Sequence, residues 1–239
     1  MKQSFWEAGH RPTLIAAFLY FDLAFMVWVL LGPLAPMIAP DLGLSPAQKG
    51  FMVAVPTLAG AVLRVVLGLL VDKMGPKRTG AVAQLIVIGG LLSAYFLGIH
   101  SFLGVVVVGM VLGFAGASFA VALPLASRWY PPEHQGTALG IAGMGNSGTV
   151  LAALFAPMLA KALGWNTVFG LAAIPVAIVF VIYMVMAKDS PETPAPMPMS
   201  SYLEPLKDKD AWWFMLFYSV TFGGFVGLGS SLSIYFVDQ

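Results

Sequence analysis

A chain of 239 residues that is 59% hydrophobic and only 10% charged, with a mean hydropathy of +0.87, cannot hide its apolar surface in one soluble core. A net charge of +1 excludes an overall basic field for nucleic acid. The absence of cysteine excludes disulfide and thiol chemistry within these residues, and His10, His100 and His134 lie in polar connections without the spacing of metal ligands.

The opening "MKQSFWEAGHRPT" is too long and too polar for a signal peptide, and the run behind it is about twice the length of a signal core. It reads as the first of seven membrane-spanning helices, near 13–38, 48–71, 79–99, 102–127, 136–161, 166–187 and 211–237. Asp22 sits about nine residues into span one. At that depth a carboxylate is either a proton-coupling candidate or, the reading preferred here, a group solvated in the cytoplasmic vestibule. Between spans six and seven, "AKDSPETPAPMPMSSYLEPLKDKD" is rich in proline and charge and without helical periodicity, so it reads as a linker. The expected organisation is a six-helix domain over 1–187, a cytoplasmic linker over 188–210, and the first helix of a second, incomplete domain over 211–239. With the N-terminus inside, Lys2, Arg11, Lys73, Lys77, Arg78, Arg128, Lys188, Lys207 and Lys209 fall on the cytoplasmic side and only Lys49 and Lys161 outside. Trp6, Trp129, Tyr130, Trp165, Trp212 and Trp213 lie near span ends, where amphipathic rings anchor at headgroups.

The turn between spans two and three carries Gly68-x-x-x-Asp72-Lys73-x-Gly75-x-Lys77-Arg78. Glycine permits a tight turn, and Asp72 is placed to meet a helix N-terminus or a basic group of a neighbouring helix. In order, spacing and position this resembles the loop motif of the major facilitator superfamily, where it tethers helices at the cytoplasmic face and helps set the inward/outward equilibrium.

Arg64 precedes Asp72 by eight residues, about 12 Å along a helix, which places it near the membrane midplane. A charge at that depth costs about 3 kcal/mol on insertion scales, so something must offset it. Either a buried carboxylate or neighbouring carbonyls satisfy it, or it binds a substrate anion. Gly60 and Gly68, a turn to either side, share its face and are expected to leave room for a ligand, while Pro56 is placed to kink the helix. A planar guanidinium grips a planar oxyanion with two parallel hydrogen bonds.

Span five contains "GTALGIAGMGNSGTV". Each glycine inside a helix costs about 1 kcal/mol against alanine, so Gly136, Gly140, Gly143, Gly145 and Gly148 together require a packing or binding reason. Gly136 and Gly140 are spaced for close helix packing. Gly143, Gly145 and Gly148 match a dinucleotide fingerprint formally, but no strand precedes them, and the match is rejected. Asn146 is an amide at mid-membrane that needs partners and can donate to an anion.

"GMGNSG" is similar to the glycine-asparagine signature of the nitrate/nitrite porter family within that superfamily. The resemblance implies that Arg64 and Asn146, with Gly143 and Gly145, surround the anion, and that Phe25 in "FDLAFMVW", Phe119 in "GASFA", and Tyr218 and Phe222 in "YSVTFGGF" complete the site. It implies a major facilitator fold of all-α membrane type and a secondary transporter of nitrate or nitrite in the cytoplasmic (inner) membrane, working by alternating access. A second arginine and a second signature are expected beyond Gln239, in the later half of the same protein. The superfamily's fourth-span arginine has no counterpart in "VVVVGMVLGFAGASF". Partners are expected to be a small inorganic anion, protons and the lipid bilayer, with no cofactor and no metal. Enzymatic hydrolysis has no support, since no triad or carboxylate pair shares a pocket. Two rivals remain: a transporter of another small or organic anion, and a membrane sensor or assembly factor that binds without transport.

Overall fold

The computed structural model describes residues 4–191 and 199–238. Within them, seven helical segments are long and apolar enough to cross a membrane: Arg11–Asp41, Pro46–Met74, Pro76–Leu97, Phe102–Ser127, Pro132–Leu163, Trp165–Met186 and Lys209–Phe236. Proline opens spans two, three and five, where its missing N–H costs nothing. Ser45 and Gln48 close a reciprocal capping box at the start of span two.

Four spans are discontinuous. Span one breaks between Trp28 and Leu31, span four between Gly116 and Phe119, and span five passes through a tight 3-10 turn at Met144–Ser147. Span seven widens into a π-helical turn over Ser219–Gly223, a geometry found frequently at functional sites. Span two, by contrast, runs unbroken through Pro56, whose carbonyl accepts the Trp28 indole N–H at 2.8 Å.

Span one is the innermost: 78% of its apolar stretch is buried, against 6% for span seven, which packs mainly on Leu31–Asp41. Spans two and four form the closest pair. A Cβ on Gly113 would stand 2.5 Å from the Ala59 side chain, and one on Gly60 would meet Trp28 and the Gly113 carbonyl. Gly60 is therefore spent on helix packing, not on the ligand space expected of it. Gly136 and Gly140 were the expected packing pair, yet a Cβ on either would meet open space. The contact role in span five belongs to Gly145 and Gly148, which lie flush on Phe21 and Asp22 of span one.

The span ends that carry most of the basic residues are gathered by hydrogen bonds. Asp189 accepts the Lys77 backbone N–H at 2.8 Å, Lys188 N–H reaches Thr13 Oγ1 at 2.9 Å, and the Trp129 indole donates to the Lys188 carbonyl at 2.9 Å. At the opposite ends, the buried Trp165 indole donates to Asp41 at 2.9 Å. The segment expected to be a linker without helix contains a helical turn at Met199–Leu203 followed by a 3-10 turn at Glu204–Lys207; its residues 192–198 lie outside the described residues.

Candidate functional site

Arg64 projects from the middle of span two toward spans four and seven. Its Nη2 donates to the Gly116 carbonyl at 2.9 Å, at the break of span four, and its Nε is buried without a partner among the described residues. Two ring faces cover the guanidinium: Phe119 at 5.2 Å and Phe222 at 5.5 Å from ring centre to Cζ. The Tyr218 hydroxyl lies close enough to interact with it electrostatically. No described carboxylate pairs with it. One carbonyl and two aromatic faces thus offset its burial, and its positive charge remains uncompensated.

The four aromatics inferred from resemblance come together. Tyr218 and Phe222 stack at 5.0 Å and 10°, one turn apart on span seven. Phe119 stands 6.5 Å from Tyr218 and 6.3 Å from Phe222, and Phe25 stands 6.3 Å from Phe222. Phe21 and Trp28 extend the cluster, at 4.3 and 4.8 Å from Phe25. Neither was singled out in the sequence, although both lie one helical turn from Phe25.

Two cavities meet at Arg64. The first, about 510 Å³, lies between spans two and seven, and among the described residues Arg64 is its one charged lining residue. Thr57, Ser219, Ser230 and Ser231 add small hydroxyls to an otherwise apolar wall. The second, about 530 Å³, runs from Arg64 past Gly68 to Asp72, Arg128 and Tyr202. A Cβ on Gly68 would meet nothing, so this glycine does leave the space that Gly60 does not.

Asp72 is fully engaged. Its Oδ1 accepts Arg128 Nη2 at 2.9 Å, and its Oδ2 accepts the Tyr202 hydroxyl at 2.8 Å. That hydrogen bond to a carboxylate, above all, raises the Tyr202 pKa above its usual value. Gly75 adopts φ +85, and a Cβ there would press on the Asp189 carboxylate at 3.0 Å. Lys77 donates its Nζ to the Met184 carbonyl at 2.9 Å, while Lys73 and Arg78 are exposed. The order of the motif is therefore architectural: an acid paired across spans, a glycine for the turn, and a lysine fastened to span six.

Neither Asn146 nor Gly143 lines either of the two cavities at Arg64. Among the described residues Asn146 makes no hydrogen bond with Arg64; its Oδ1 is buried and unpartnered. Gly145 packs on the Phe21 ring, which touches Phe119 at 5.7 Å, so the signature reaches the arginine through two aromatic layers. Asp22 corrects the vestibule reading. It is 8% exposed and accepts the Ser147 hydroxyl at 2.7 Å, which is a buried and hydrogen-bonded carboxylate, not a solvated one. Among the described residues no group of acids and histidines is placed to hold a metal.

The family model of the Major Facilitator Superfamily matches residues 16–239. The chain belongs to that superfamily. Its curated relatives include the "Probable nitrate/nitrite transporter NarK2" of Mycobacterium tuberculosis, 34% identical over 95% of this chain and 58% of that protein. The "Probable nitrate transporter NarT" of Staphylococcus epidermidis is 34% identical over 90% and 55%, and the "Nitrite extrusion protein" of Bacillus subtilis is 31% identical over 90% and 54%. The chain thus spans little more than half the length of the curated relatives it matches. As a superfamily member with seven apolar helices it is a multi-pass membrane protein, and its relatives' names agree with the resemblance carried by "GMGNSG".

Proposed function

We propose that the protein carries nitrate or nitrite across the cytoplasmic membrane by alternating access, and that Arg64 is the anion's ligand. The observation that carries this reading is the guanidinium itself. It is half-buried with its Nε fully buried, has no acidic partner among the described residues, lies under two ring faces, and is the one charge among the described residues on the wall of the cavity between spans two and seven. In a low-dielectric site such a charge attracts an anion strongly. Its planar fork suits the three oxygens of nitrate or the two of nitrite, and the parallel rings of Tyr218 and Phe222 suit a flat ligand. The names of the relatives support the same substrate.

In this reading residues 1–187 form the first half of the transporter, 188–210 a cytoplasmic linker, and 211–239 the first helix of the second half, with the N-terminus in the cytoplasm. Substrate binds at the midplane between the halves, and rocking of one against the other exposes it to each side in turn. A second arginine from the later half grips the anion from the opposite side. The Asp72, Arg128 and Tyr202 cluster holds the cytoplasmic end of span two while that motion occurs.

Uptake by the full-length protein in proteoliposomes tests the reading. Nitrate and nitrite are expected to compete with one another and with chlorate, while formate and larger organic anions compete poorly. Preference for formate or an organic anion would replace the substrate, and saturable binding without uptake would replace transport by sensing.

A further inference from the structure

Span five is interrupted where it crosses span one. The 3-10 turn Met144–Ser147 lies directly against Phe21 and Asp22, and two glycines make the approach possible. A Cβ on Gly145 would stand 2.7 Å from the Phe21 ring, and one on Gly148 would stand 1.8 Å from the Asp22 carbonyl oxygen. At that separation the Ser147 side chain spans the gap, and its hydroxyl donates to Asp22 Oδ1 at 2.7 Å. The backbone amide of Gly148 lies beside the same carboxylate. Asp22 is 8% exposed, and a carboxylate this buried requires donors. Among the described residues Ser147 supplies the side-chain one.

Asn146 precedes Ser147, and its Oδ1 is buried without a partner among the described residues. Its placement is inherited from its neighbours: Gly145 on the Phe21 ring, Ser147 on the Asp22 carboxylate, and Gly148 on the Asp22 backbone. The same turn of span one carries Phe21 and Phe25, which belong to the aromatic cluster over Arg64.

We propose that Asp22 is a positioning residue: by accepting the Ser147 hydroxyl, its carboxylate fixes the broken segment of span five and thereby sets the register of Asn146 against the aromatic wall of the anion site. This rests on the nitrate reading of that site and deepens it. Asp22 need not change protonation to act in this way. It differs from a proton-coupling role in predicting that Ser147, which cannot titrate, shares its effect.

The test is calorimetric titration of the purified full-length protein with sodium nitrate, together with uptake kinetics in proteoliposomes. Ser147→Ala deletes one hydroxyl and leaves the close contacts of Gly145 and Gly148 with span one in place. It is expected to weaken nitrate binding about tenfold, the loss of one hydrogen bond to a charged group, with turnover at saturating nitrate changed less than about twofold. Ser147→Thr, which keeps the hydroxyl, is expected to bind within about twofold of the parent protein. Asp22→Asn keeps an acceptor oxygen and is expected to lose about threefold. In the Ser147→Ala background it adds nothing further, because the two residues act through one bond. Unchanged nitrate affinity in Ser147→Ala, or effects of the two substitutions that simply multiply, overturns the inference while leaving the nitrate reading intact. Absence of nitrate binding by the parent protein overturns both.

Discussion

Arg64 and Asp72 lie eight residues apart on one helix, and they are treated in opposite ways. Asp72, toward the end of span two, has a guanidinium on one oxygen and a tyrosine hydroxyl on the other. Arg64, near the middle, has a carbonyl and two ring faces but no opposite charge. Arg64 and Asp72 are both half-buried, but Asp72 stands toward the helix end, where water is nearest and solvation is cheap, and Arg64 at the middle. The middle, where solvation is dearest, is where the charge stands alone. A fold seeking stability would pair the mid-helix charge first. That the charge toward the helix end is paired and the one at mid-helix is not is the contrast behind the proposal that Asp72 is architecture and Arg64 a binding group.

The sharpest way to break this contrast is Arg64→Lys. The charge stays and the bidentate fork is lost, so nitrate transport by the full-length protein is expected to fall at least tenfold, about 1.4 kcal/mol, with the protein still folded by circular dichroism. Phe119→Ala comes next. Losing one ring face over the guanidinium is expected to weaken nitrate affinity about fivefold by titration, at the scale of a partly desolvated cation–π contact. Asp72→Asn keeps the hydrogen-bonding shape and removes the ion pair. It is expected to slow transport about threefold and leave nitrate affinity alone, in keeping with the modest worth of a partly exposed pair.

The smallest effect lies at His10, which caps span one. Its Nδ1 accepts the Thr13 backbone N–H at 3.2 Å, a role open only to the neutral ring. Burial first, and then Lys188, lower its pKa below the usual 6.5. The neutral form is the one the fold favours, so the cap's contribution is complete above about pH 6.5 and is lost as pH falls through that value to the folded pKa. An imidazole titration by NMR is expected to give a midpoint below 6.5, and a midpoint above it would contradict the cap.

Hydropathy was sufficient for the spans, each end of which falls within four residues of its position in the fold. Periodicity could not show where they break, because a 3-10 turn at "MGNS" or a π-turn at "SVTFG" is set by what packs alongside. The same limit governs the glycines: Gly136 and Gly140 have the spacing of a packing pair, but only Gly145 and Gly148 face another helix closely. Arg64 was visible because a lone charge in an apolar run is anomalous by itself. Its aromatic neighbours came from resemblance, since one phenylalanine among 17 carries no signal of its own. Arg128 was legible only as a basic residue at a span end, and Tyr202 only as part of a linker, because an ion pair across 56 residues and a hydrogen bond across 130 are tertiary facts. Asp22 was misread for the same reason, its donor standing 125 residues away.

The central claim is most directly tested by titrating nitrate into three full-length proteins: the parent, Arg64→Lys and Asp72→Asn. The account predicts affinity at least tenfold weaker for Arg64→Lys and within about twofold of the parent for Asp72→Asn. Equal affinities in the parent and Arg64→Lys, or a larger loss from Asp72→Asn, would contradict it.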